Sequence, residues 1–177
     1  MTKVNELYDQ DFFLWTKEQA EGLRHAKASN LPLDWENLAE EIESLGKSDR
    51  RQLTSRVRRI LRHLLKLEAS PAIQPQPGWR ATIINARREI AGILRDSPSL
   101  RREVEGLIAE EARAAAELAS ADLRPHGELA DLIRARFDQG GFTSEQVLGD
   151  WFPRNPQTKV FVRHRELEPV AALATRD

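Results

Sequence analysis

The apolar positions of this chain recur at helical spacing almost throughout. From Asp9 to about Ala28, Phe12, Phe13, Trp15, Ala20 and Leu23 share a broad apolar face, while Lys17, Glu18, Glu21 and Arg24 lie mostly elsewhere. That pattern predicts a first amphipathic helix, ended by Asn30-Leu31-Pro32. Asp34 then offers a side chain to the unpaired N–H groups of a new helix, and its charge suits the positive end of the helix dipole. Trp35, Leu38, Ile42 and Leu45 follow at steps of three, four and three and form a single stripe. Gly46 suits the position just past a helix and Ser48 the cap of the next, so a break is expected there. The next helix runs from Asp49 to about Leu67 with Leu53, Val57, Ile60, Leu61, Leu64 and Leu67 as its stripe. The phase of the stripe barely changes across Gly46, so one long helix bent at that glycine is the alternative.

Ser70 to Gly78 holds three prolines and a glycine and reads as a loop. Helical spacing resumes from Trp79 to about Arg95 with Ile83, Ala86, Ile90 and Leu94. Ser97-Pro98 is a start signal for a helix from Ser99 to about Ala121, with Leu100, Val104, Leu107, Ile108, Ala112, Ala115 and Leu118 inward. Arg124 to Gly127 reads as a turn and Glu128 to Phe137 as a short amphipathic helix, broken by Gly140-Gly141. Thr143 and Gln146 form a capping box for a last short helix, and Trp151-Phe152-Pro153 can pin that end to the core. The expectation is an all-α protein, an antiparallel helical bundle of four main helices plus short C-terminal helices. Residues 1–153 form one domain in this reading. Residues 154–177 form an extended or partly disordered tail, which could pair along another subunit; its run KVFVRHREL alone has strand character.

Several blocks together resemble a known family. LYDQDFFLWTKEQAEGLR, DWENLAEEIESLGKSDRRQL, HLLK, GWRATIINARREIAGILRDSPSL and EQVLGDWFP, in that order, are similar to the bacterial DUF29 family, small proteins common in cyanobacteria and proteobacteria. The likeness spans roughly residues 7–153, with Arg124 to Gly141 departing from the family's pattern. It implies an all-helical fold and carries over no catalytic residue.

Composition narrows the function classes. Of 177 residues, 40% are hydrophobic and 31% charged, as in a globular protein with a solvated exterior. Bases and acids number 27 and 28, so bulk charge points to neither a nucleic acid nor a membrane surface. Cysteine is absent, which removes disulfides and thiolate chemistry and fits a reducing, cytoplasmic setting. No signal peptide or membrane-spanning run is read, and no cofactor is expected.

Locally, charge is segregated. Asp34, Glu36, Glu40, Glu41 and Glu43 crowd one stretch, and eight Lys or Arg residues against one acid fill Lys47 to Lys66. Gly46-Lys47-Ser48 lacks the first glycine and the preceding strand of a phosphate-binding loop. Glu36, Glu40 and Glu43 share a helix face but have no Glu-x-x-His partner set, so no metal site is assigned. His63 sits beside an apolar stripe, a position typical of a core-edge histidine with one hydrogen bond. Its spacing from Arg58 is similar to that in helical ribonucleases of the HEPN type. The expected function is therefore a non-catalytic interaction module whose partner is another protein or a second copy. Its face would use Arg51, Arg58, Arg62, Arg87 and Arg88 with the acids near Glu40, Glu41 and Glu43. Two alternatives stand beside it: a nuclease or metal-dependent hydrolase centred on His63 with Glu40, Glu41 or Glu43, and a nucleic-acid binder using the basic helix 50–66. Against reading the basic helix as a surface for nucleic-acid phosphates or an acidic partner, its arginines could instead pair within the chain, with acids such as Glu36, Glu40, Glu43, Glu110 and Glu111.

Overall fold

A computed structural model describes residues 3–26, 31–123, 132–133, 135–136 and 140–154. The described elements are α1 (Lys3–Gln10), α2 (Phe12–Ala26), α3 (Trp35–Ala69), α4 (Gln76–Asp96), a 3-10 helix (Pro98–Glu103), α5 (Val104–Asp122) and α6 (Ser144–Leu148). The expected all-helical bundle is present, and no strand occurs among the described residues.

The expected break at Gly46 does not occur. α3 is a single helix of 35 residues, about 52 Å long at 1.5 Å per residue. Asp34 caps it by accepting from the Asn37 N–H at 3.2 Å. Gly46 is buried within it, where a Cβ would overlap the Thr16 hydroxyl and lie 3.2 Å from Phe13. The glycine allows α2 to approach closely and is not a stop signal. The helix expected from Asp9 starts instead at Phe12, and a separate helix that the pattern did not predict, α1, precedes it. Asp11, itself buried, ends α1 and caps α2, accepting from the Leu14 N–H at 2.9 Å. Its carboxylate also takes the Ser99 N–H at 2.6 Å and hydroxyl at 2.8 Å, which ties this corner to the start of the 3-10 helix.

α2, α4 and α5 each pack on α3 and make little contact with one another. α3 is thus a post with three helices around it. α4 runs antiparallel to it: Ser97 donates to Asp49 at one end, and Lys66 lies over the Trp79 ring at the other. α5 runs parallel to it, because it follows α4 back up: Arg50 meets Glu103 and Arg58 meets Glu111. The stripe Leu53, Val57, Ile60, Leu61, Leu64 and Leu67 is fully buried, as are Ile83, Ala86, Ile90 and Leu94 of α4. In α5, Leu118 turns out to solvent, and Ala115, Ala119 and Leu123 take the inward places. A helix of 3.6 residues per turn drifts off a seven-residue repeat over this length.

The capping box forms, with Thr143 and Gln146 satisfying each other's backbone N–H groups. Phe152 lies under the guanidinium groups of Arg80 and Arg87, so this end is held to α4. Residues 132, 133, 135 and 136 of the expected short helix are helical, and Ile133 is buried. The expected turn at 124–127, the rest of that short helix and the tail from 155 lie outside the described residues.

Candidate interaction surface

Four of the eight Lys and Arg residues of α3, namely Arg50, Arg58, Arg62 and Lys66, face α5 and are already paired. Arg50 bonds Glu103 at 2.5 Å and approaches Glu110 at 3.8 Å. Arg58 bonds Glu111. Arg62 makes two bonds to Asp122, at 2.9 and 2.6 Å, and Lys66 adds a third at 2.9 Å. These two bases hold the Asp122 carboxyl down at about 2. On the other flank Arg56 pairs with Glu89 of α4. Arg58 and Arg62 therefore form part of an internal seam instead of an open binding face. Glu110 and Glu111 were readable as partners; Glu103, Glu89 and Asp122 were not. One signal was present: Arg50 and Arg58 repeat the eight-residue interval of Glu103 and Glu111, as two parallel helices in register require.

Arg87 is also not a surface base. It is buried, and its guanidinium donates to the carbonyls of Gln146, Val147 and Trp151 at 2.8, 2.9 and 2.7 Å. Burial lowers its pKa and the charge of Asp150 raises it again. The residue fastens α6 and the chain after it onto α4. Arg51 and Arg88 are exposed and have no ion-pair partner among the described residues.

The acid and histidine candidates do not converge. Glu43 is twenty residues before His63 on the same unbroken helix, about 30 Å along its axis. Glu43 is held by Arg24 at 2.6 Å and Lys47 at 3.1 Å, and the Arg24 bond, followed by Lys47, lowers its pKa. Glu40 and Glu41 are exposed. His63 is half-buried, and its Nδ1 has no hydrogen-bond partner among the described residues. Burial first, then the charges of Lys66 and Arg62, push its pKa down to about 4, so the ring is neutral near pH 7. Arg58, five residues earlier, lies about 140° around the helix from it and is committed to Glu111. Among the described residues, no three His, Asp or Glu side chains gather as a metal would need. Gly46-Lys47-Ser48, inside a helix, cradles no phosphate.

Two cavities add no reactive cluster. One of about 450 Å³ lies between α5 and Gly140–Ser144, and Glu105 is its single ionisable lining residue. The other, of about 380 Å³, is lined by Lys17, Glu21, Arg24, His25 and Glu43. There Glu43 is paired and His25 Nδ1 donates to the Glu21 carbonyl at 2.8 Å.

What remains open is apolar. α4 ends at Asp96, close to Asp49, so among the described elements the N-terminal part of α3 extends past it with α2 alongside. α2 and this part of α3 form an arm whose buried contacts are made by Phe13, Thr16, Ala20, Ala39 and Gly46, mostly small residues. Leu38 and Leu45 are 42% and 48% exposed, with Trp35 and Ile42 half-buried between and beside them. Residues 35, 42, 49 and 56 are one heptad apart. Since Asp49 and Arg56 both face α4, the stripe continues the α4 side of α3 beyond the point where α4 stops. Leu31 and Leu33 at the arm's tip are exposed as well.

The fold and this surface define an all-helical protein with a central helix, an internal ion-pair seam and one open apolar flank. The chain belongs to the DUF29 family: residues 7–152 match the model described as a domain of unknown function, DUF29. An α-helical protein of unknown function from Rhodospirillum rubrum has a similar crystal structure, at 24% identity and a TM-score of 0.61, covering 92% of this chain and 98% of that one. Its likeness concerns the fold alone. No curated protein matches the sequence. No described helix is long and apolar enough to cross a membrane.

Proposed function

We propose that the protein is a non-catalytic interaction module that docks an apolar helix of a protein partner on the open flank of the α2/α3 arm. The observation that carries this reading is the exposure of Leu38 and Leu45 on a heptad stripe in line with α4. A monomer's exposed leucines are ordinarily scattered, whereas a row of them at coiled-coil spacing is a surface that another helix can cover. The separation of His63 from Glu40, Glu41 and Glu43 supports a role without catalysis. The pairing of Arg58 and Arg62 within the chain weighs against a phosphate-binding helix. A bacterial, cytoplasmic setting goes with the proposal, supported by the bacterial source of the structural neighbour and by a sequence without cysteine.

The test uses a dye that brightens on exposed apolar surface, anilinonaphthalene sulfonate. The wild type should enhance its fluorescence, and Leu38→Ser/Leu45→Ser should remove most of that enhancement without lowering the melting temperature. Equal enhancement by both proteins would overturn the reading, and so would a large loss of stability in the variant, because either result means the stripe is already covered.

A further inference from the structure

The flank has a charge as well as a shape. Counting heptads from Trp35 and Ile42 as the a positions, Leu38 and Leu45 are d. Asp34 and Glu41 then occupy the g positions beside the seam, and Ala39 and Gly46, at e, lie buried under α2. In helix pairing the charges that flank the seam decide which partner is accepted. Here both flanking residues on the open side are acidic. The arm as a whole points the same way. Phe12–Ala26 and Asp34–Lys47 hold seven acids and three Lys or Arg residues. Of those three bases, Arg24 and Lys47 are taken by Glu36 and Glu43, and Lys17 lies over the Phe13 ring at 5.0 Å. Glu18, Glu21, Glu40 and Glu41 are exposed and have no ion-pair partner among the described residues. At the inner end of the stripe, Asp96 is also largely exposed, and its one ion pair among the described residues is with the exposed Arg95 next to it.

We infer that the occupant is a basic amphipathic helix of a partner protein, with apolar residues at a and d and Lys or Arg at the positions facing Asp34 and Glu41. This rests on the docking reading above and names its partner class. A second copy of the same stripe would fit less well. A two-fold axis near Ile42 would set Glu41 against the other copy's Glu41 and the acidic tip at Asp34 against the level of Asp49 and Asp96. The open stripe from Trp35 to Asp49 is about 21 Å long, about four turns of an incoming helix, which suits the helix-in-groove mode and a weak, reversible complex.

The experiment uses two synthetic 18-residue helical peptides with leucine at a and d, one with lysine and one with glutamate at e and g. Fluorescence anisotropy measures their binding to the full chain, and sedimentation of the protein alone is run in parallel. The lysine peptide should bind at least about tenfold more tightly than the glutamate peptide, and its affinity should fall as salt rises. Leu38→Ser/Leu45→Ser should weaken it by about tenfold. Glu41→Lys should weaken the lysine peptide and strengthen the glutamate peptide, a crossed effect that a folding defect cannot produce. Equal, stripe-dependent binding of both peptides would overturn the basic-partner inference and leave the docking reading intact. Self-association of the wild type that is lost in Leu38→Ser/Leu45→Ser would overturn it in favour of a second copy. Failure of either peptide to bind, with dye enhancement equal in wild type and variant, would overturn both.

Discussion

Replacing Gly46 by alanine separates two roles that one glycine can have. In the interior of an open helix, alanine is favoured over glycine by about 1 kcal/mol, so Gly46→Ala would stabilise α3 if nothing lay opposite. Here the new methyl would overlap the Thr16 hydroxyl and stand 3.2 Å from Phe13 Cδ2. Thr16 has no room to yield, since it is fully buried and its hydroxyl donates to the Phe13 carbonyl at 2.8 Å. α2 must shift as a body, and overpacking of this kind costs about 1–3 kcal/mol. Set against the gain in helix propensity, a net loss of up to about 2 kcal/mol is expected. The Thr16→Ala background removes the obstructing hydroxyl, and there Gly46→Ala should be neutral or stabilising by up to about 1 kcal/mol. Guanidinium denaturation of the four proteins closes the cycle, with a coupling of about 2 kcal/mol expected. If Gly46→Ala stabilises the wild type and the Thr16→Ala protein equally, the glycine is not a contact point and the close approach of α2 is wrong.

Two further substitutions probe the rest of the framework. Arg87→Ala leaves three carbonyls without their donor, and because bonds from a charged donor are each worth about 1.5–3 kcal/mol, a loss of about 3 kcal/mol or more is expected. Arg87→Lys should recover little of it, since one ammonium cannot reproduce the guanidinium fork; full recovery in a denaturation curve would refute the latch. His63 contributes a pH dependence of definite sign. Its folded pKa of about 4 lies below its ordinary 6.5, so the unfolded chain takes up the proton first as pH falls. Stability from this residue is fully present above about pH 6.5 and is lost between there and pH 4. The interval corresponds to about 3 kcal/mol at most, and to about 1–2 kcal/mol for a half-open site. His63→Gln should flatten the plot of denaturation midpoint against pH in that window and leave the acid loss near pH 2–4, where Asp122 titrates; an unchanged slope would refute the half-buried neutral histidine.

How much of this was legible in sequence depended on how local the cause was. The stripe from Leu53 to Leu67, the inward positions of α4 and the Thr143–Gln146 box follow from spacing and capping within a few residues, and these readings hold. Gly46 followed by Ser48 spells a helix end equally well, and only Thr16, thirty residues earlier and packed against it, decides otherwise. Leu38 and Leu45 lie to one side of the core stripe, about 60–80° around the helix from Leu53. Their exposure depends on where α4 ends, and nothing near Leu38 encodes that. Arg87 resembles its solvated neighbour Arg88 in sequence because the carbonyls it binds belong to backbone and carry no residue signature. The separation of His63 from Glu43 depended on the same question as Gly46: with a break, the acidic segment could have folded back toward the histidine, and without one it is carried to the far end.

The continuity of α3 makes it a shaft, with the arm at one end and the packed body at the other. Changes of side chain along Lys47 to Gln52 leave the two ends aligned. Inserting or deleting a single residue there would turn the arm by about 100° about the axis, carrying α2 and the leucine row away from the line of α4. Only length changes near a whole heptad, which return an α-helix to within about 20° of its starting direction, keep the row in place. The spacing between Leu45 and Leu53 is therefore a dimension of the molecule, constrained even where its individual residues are not.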